Sequence, residues 1–149
     1  MQILAVGNKP KFRGFTLLEL LVVLSIMALA TVGVGLAMRD GGQAQLEREA
    51  ERLAALLESA RAQSRASGVP VQWLALPEGF RFDGLPSNHP LPTRWLDAST
   101  GVRGSGTLVL GPEPLIGPQQ VTLVQSSHPE QALRVVTDGL RPFSVEAAQ

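Results

Sequence analysis

One carboxylate, Glu19, is the only charge in the 24 residues from Phe15 to Met38. A charge near the centre of a bilayer costs about 2.5 to 3.5 kcal/mol, so a residue of this kind needs either a partner or a route to water. Glu19 lies about 6 Å along a helix that begins at Phe15. It can reach back to the interface, or it can meet a positive charge at the same depth. No Lys or Arg occurs between Phe15 and Met38. A paired cation must therefore come from another molecule or from a newly made amine.

The element that carries Glu19 is a membrane segment by its length and composition. A helix of 24 residues spans roughly 36 Å, enough for a hydrocarbon core of about 30 Å. Lys9, Lys11 and Arg13 precede it, in a stretch of 14 residues without an acid. The positive-inside rule then predicts a single pass with a cytoplasmic N-terminus and an exported body. A secretory signal would have a shorter apolar core and a small-residue cleavage site. Neither is present, and an uncleaved signal anchor is the plain reading on hydropathy alone.

After residue 14 the chain carries ten Arg against thirteen acidic residues, a formal charge of −3. The arginines form no run, which argues against a nucleic-acid footprint. The absence of Cys excludes a disulfide framework and thiolate metal sites. No catalytic constellation is recognisable. His89 and His128 are far apart and each precedes Pro, as surface loop residues do. "GVRGSG" (101–106) reads as a turn, since it lacks the Lys-Ser/Thr and the strand-to-helix setting of a phosphate loop. Asp83, Asp97 and Asp138 offer oxygen ligands for calcium but form no dense run. The expectation is a protein that is not an enzyme and holds neither cofactor nor metal.

The stretch "RGFTLLELLVVLSIMALA" resembles the leader of type IV pilins and type II secretion pseudopilins: a basic leader ending in Gly, then Phe, then Glu at the fifth apolar position. The resemblance implies that a prepilin peptidase cuts between Gly14 and Phe15 and methylates Phe15. It further implies that Glu19 faces the α-amine of a neighbouring subunit during filament assembly. Ammonium and carboxylate attract strongly in low dielectric, and a wrongly staggered neighbour leaves both unpaired. The pair would set register as well as affinity.

Beyond Met38, Gly41-Gly42 interrupts the apolar run and either bends or loosens the helix. Residues 43–67 then read as an amphipathic helix, with Leu46, Ala50, Leu53, Leu57 and Ala60 in one stripe that packs on the chain's own body rather than in a partner's groove. Glu49 with Arg52, and Glu58 with Arg61, are expected as i, i+3 pairs on its wet side. Gly68 and Pro70 stop it. Residues 69–149 read as β-rich, with short strands at 69–76, 80–84, 106–111, 120–125, 133–139 and 142–145. Residues 84–105, with Pro86, Pro90 and Pro92, read as a long loop. Trp73 is expected in the core and Trp95 as a loop anchor.

The fold expected is therefore α+β: a long N-terminal helix, half transmembrane and half amphipathic, packed on a C-terminal antiparallel sheet, pilin-like. The domains are a leader (1–14), an assembly helix (15–38) and a periplasmic body (39–149). "EAERLAALLESARAQSRASGVPVQW" with the strand-rich body ending "VVTDGLRPFSV" is similar to the protein H (GspH) type of type II secretion minor pseudopilin, and also to the FimT and FimU minor pilins. The resemblance implies an inner-membrane subunit of a periplasmic pseudopilus that promotes export of folded proteins. Its partners would be major and other minor pseudopilins, the prepilin peptidase, and the inner-membrane assembly platform with its ATPase. A minor type IV pilin for motility or DNA uptake is the near alternative. A signal-anchored periplasmic enzyme or binding protein is the distant one. The tail from Ser126 holds only Arg134 and Arg141 against Glu130, Asp138 and Glu146, which favours secretion over DNA binding.

Overall fold

The computed structural model describes residues 15–148, with the side chains of 32–40 outside the description. The element order is α1 (Leu17–Ser67), β1 (Gln72–Leu76), β2 (Gly79–Asp83), β3 (Thr100–Arg103), β4 (Thr107–Val109), β5 (Gln119–Gln125), β6 (His128–Thr137) and β7 (Ser144–Ala147). The chain divides into two compact units, 1–38 and 39–149, and α1 contributes to both. The architecture is α+β with antiparallel strands, consistent with a pilin-like fold.

In the second unit, Leu46, Ala50, Leu53, Leu57 and Ala60 of α1 are all buried, as their spacing predicts. They share one hydrophobic core with Val71, Trp73, Phe80, Leu108 and Leu110 and with Val121, Leu123, Leu133 and Val135. Trp73, Phe80 and Trp95 form an aromatic cluster, with Phe80 and Trp95 ring centroids 4.6 Å apart. Trp95 is thus a core residue supplied by a loop. Gly68, at a φ of 69°, ends α1, and its N–H donates to Ser64 O at 2.9 Å.

The strands form two sheets where the sequence suggested one. Sheet one runs β2-β1-β4 and sheet two β3-β5-β6-β7, every pair antiparallel. One side chain joins them. The Gln119 amide, at the start of β5, donates to Val109 O at 2.8 Å and accepts from Val109 N–H at 2.7 Å, standing where a neighbouring backbone would stand on the β4 edge.

Three local expectations are corrected. Gly101-Val102-Arg103 is strand β3 rather than the first half of a turn, and the turn is confined to Gly104-Ser105-Gly106, with Gly104 at a φ of 85°. Residues 84–105 are therefore not wholly loop. His128 and Pro129 open β6 rather than sitting in a loop, and Pro is tolerated there because β7 pairs only with residues 133–136. α1 runs on as helix through Gly41-Gly42. Gly42 instead allows close approach: a Cβ there would lie 3.2 Å from His128 Nδ1 and 3.3 Å from Gln131 Oε1.

Candidate functional site

Thr16 caps α1. Its hydroxyl accepts from Glu19 N–H at 3.2 Å, and its carbonyl accepts the first intrahelical bond, from Leu20 N–H, at 3.2 Å. Thr16-Leu17-Leu18-Glu19 is the sequence pattern of a capping box. Thr16 thus does more than match the leader pattern: it caps the helix, a role legible in Thr-x-x-Glu. Glu19 thereby gains a local role: its carboxylate sits in the first turn, where it is favoured by the positive end of the helix dipole.

Every described side chain from Phe15 to Thr31 is exposed, Phe15 to 77% and Leu17 to 79%. The hydroxyls of this stretch are satisfied within the helix. Ser25 donates to Leu21 O at 2.8 Å, and Thr31 to Ala28 O at 2.8 Å. Glu19 differs from them, because its carboxylate has no partner among the described residues. Gly14 lies outside the described residues, and so do Lys9, Lys11 and Arg13. Among the described residues, no helix is long and apolar enough to cross a membrane. The expected span, 15–38, runs on into residues whose side chains lie outside the description.

The other ionisable candidates are occupied locally. Asp83 pairs with Arg81 at 3.1 Å. Asp97 accepts from the Ser99 hydroxyl at 2.5 Å and from Ser99 N–H at 2.7 Å, bonds that hold its carboxyl below the ordinary value. Asp138 accepts from Arg141 N–H at 2.7 Å and Leu140 N–H at 2.9 Å, with the same effect. Among the described residues no three His, Asp or Glu side chains converge on a metal-sized site.

Glu49 and Arg61 are not on a wet face. They are 1% and 3% exposed, because loops outside the helix cover them. Glu49 accepts from Leu96 N–H at 2.5 Å and from Arg52 at 3.0 Å, while Arg52 also donates to Arg94 O at 3.0 Å. Arg61 donates to Gly139 O at 2.7 Å, Pro114 O at 3.3 Å and Arg141 O at 3.5 Å, and lies 3.5 Å from Glu58. Each charge fastens a distant loop to α1. Gly139, at a φ of 89°, lets that loop close down on Ile116 O, where a Cβ would collide.

The N-terminal geometry is that of a capped helix whose described apolar side chains are exposed, which suits a protein of the type IV pilin-like class. Residues 9–35 match the prokaryotic N-terminal methylation motif, a stretch that contains Gly14, Phe15 and Glu19. The motif implies processing by a prepilin peptidase and assembly with other pilin-like subunits, and it ordinarily accompanies membrane anchoring. Neither a curated protein nor a solved structure matches the chain.

Proposed function

We propose that the chain is a minor pseudopilin of a type II secretion system, a structural subunit rather than a catalyst. The observation that carries this reading is Glu19: a lone carboxylate in an exposed apolar helix, inside the methylation motif and without a partner among the described residues. Peptidase cleavage after Gly14 would create an amine at Phe15. The amine of one subunit and the Glu19 carboxylate of its neighbour would then complete each other. The segment 15–38 would cross the inner membrane, with the body in the periplasm. The ATPase on the cytoplasmic side would drive the filament, and the body would supply lateral contacts.

The balance toward secretion rests on the C-terminal charges. Arg134 lies 3.6 Å from Glu146 and Arg141 3.2 Å from Asp138, so both tail arginines are engaged by carboxylates. A groove for a nucleic-acid backbone wants cations free to meet phosphate. The test is a deletion strain complemented with wild type or Glu19→Ala, scored for secreted proteins, surface pili and DNA uptake. Lost secretion with intact pili, restored by wild type alone, is the expected outcome. Lost pili or uptake with normal secretion would instead assign the chain to a type IV pilus.

A further inference from the structure

Each of three sheet edges is contacted at one point by the chain itself. At β2, Phe80 N–H donates to Thr93 O at 2.8 Å. At β4, the Gln119 amide takes both Val109 groups. At β3, only four residues long, Thr100 N–H donates to Asp97 O at 3.1 Å. Such contacts are how native sheets avoid unwanted pairing.

The β7 edge is engaged only at its start and carries two successive outward residues beside a groove. Ala148 N–H donates to Ala132 O at 3.2 Å, so residues 144, 146 and 148 direct their backbone groups to β6. In an antiparallel pair the alternate residues direct theirs outward, here Phe143, Val145 and Ala147. Glu58 Oε1 accepts from Phe143 N–H at 3.0 Å. The outward N–H and C=O of Val145 and Ala147 have no partner among the described residues. Beside them lies a groove of about 480 Å³ between β7 and α1, whose lining includes Glu51, Ala54, Ala55, Glu58, Phe143 and Val145. The two alanines keep the helix wall low. No Lys or Arg lines the groove, and Glu51 has no ion-pair partner among the described residues.

We propose that this groove accepts an extended, cationic segment of a partner protein, which adds a strand to β7. Backbone hydrogen bonds to Val145 and Ala147 supply the pairing, and Glu51, the groove carboxylate without a partner among the described residues, selects a basic side chain on the incoming strand. A second copy of this chain is disfavoured as the occupant, since pairing β7 with β7 would set two acidic walls against each other. The inference does not depend on the assembly role proposed for Phe15 and Glu19.

The test uses the full chain in detergent micelles, titrated with a short capped peptide of alternating Lys and Val and followed by amide exchange. Exchange at Val145 and Ala147 is expected to slow about tenfold at saturation. Glu51→Lys should weaken binding about tenfold. Ala147→Pro should abolish protection while leaving the far-ultraviolet circular dichroism unchanged, since its N–H faces away from β6. Four results would each overturn the proposal: equal binding of an alternating Glu and Val peptide, equal binding of a backbone N-methylated Lys and Val peptide, protection that maps away from β7, or self-association of the chain through β7.

Discussion

The same helix, α1, handles charge in two opposite ways. Between Phe15 and Thr31 its apolar side chains are exposed and its one carboxylate has no partner among the described residues. Between Leu46 and Ser64 its apolar stripe is buried, and so are Glu49 and Arg61, each bonded to a loop more than forty residues away in sequence. The first stretch finds no cover among the described residues; the second is covered by the chain's own loops. Charge placement on a helix therefore reports where its partners come from. Buried charges bonded to remote backbone groups serve the fold, while a solitary charge among exposed apolar residues is what the proposed assembly role would use.

That contrast is most easily broken in the body. Trp73→Ala removes a fully buried ring from the aromatic cluster and should cost about 3 to 5 kcal/mol, read as a lower urea midpoint by circular dichroism. Arg61→Met leaves the carbonyls of Pro114 and Gly139 without their donor and should cost about 3 kcal/mol, with faster amide exchange in residues 111–118 and 138–142. Glu49→Gln keeps the shape but weakens the bonds from Leu96 and Arg52, at about 1 to 2 kcal/mol by the same unfolding measurement.

On the other side of the comparison the effects on the body should vanish. Thr16→Ala should destabilise the first turn by about 1 kcal/mol, visible as faster exchange at Glu19 N–H, with the body's midpoint unchanged. Glu19→Ala should likewise leave that midpoint within about 0.5 kcal/mol while abolishing incorporation into filaments. A smaller effect sharpens the body side. The Ser99 hydroxyl, and then its backbone N–H, hold the Asp97 carboxyl below its ordinary value of 3.8. The stabilisation is thus present above that value and lost as pH falls below it. Asp97→Asn should flatten the acid limb of the stability profile, measured by thermal melts at stepped pH.

Much of this was legible from residue order. The stripe from Leu46 to Ala60 and the stop at Gly68 follow from helical periodicity and glycine's access to positive φ, and both are local properties. Six of seven strands announced themselves as apolar runs between Gly and Pro; β3 was hidden because Gly101 and Gly104 flank its core residues like turn markers. The burial of Glu49 and Arg61 could not be read from i, i+3 spacing, since the loops that cover them are remote in sequence. The division into two sheets was equally opaque, because it lies in a junction where the Gln119 side chain, rather than backbone, meets Val109. At the candidate site, the lone Glu19 was plain, while the capping role of Thr16 was available as Thr-x-x-Glu but masked by the stronger signal of the apolar run.

The central claim is that the helix beginning near Phe15 is a processed assembly element. Intact-mass analysis of the protein from a host with an active prepilin peptidase tests it most directly. A chain that begins at Phe15 and carries one added methyl group is the result expected. A full-length chain that retains Met1 in that host would contradict the account and return the segment to an ordinary signal anchor.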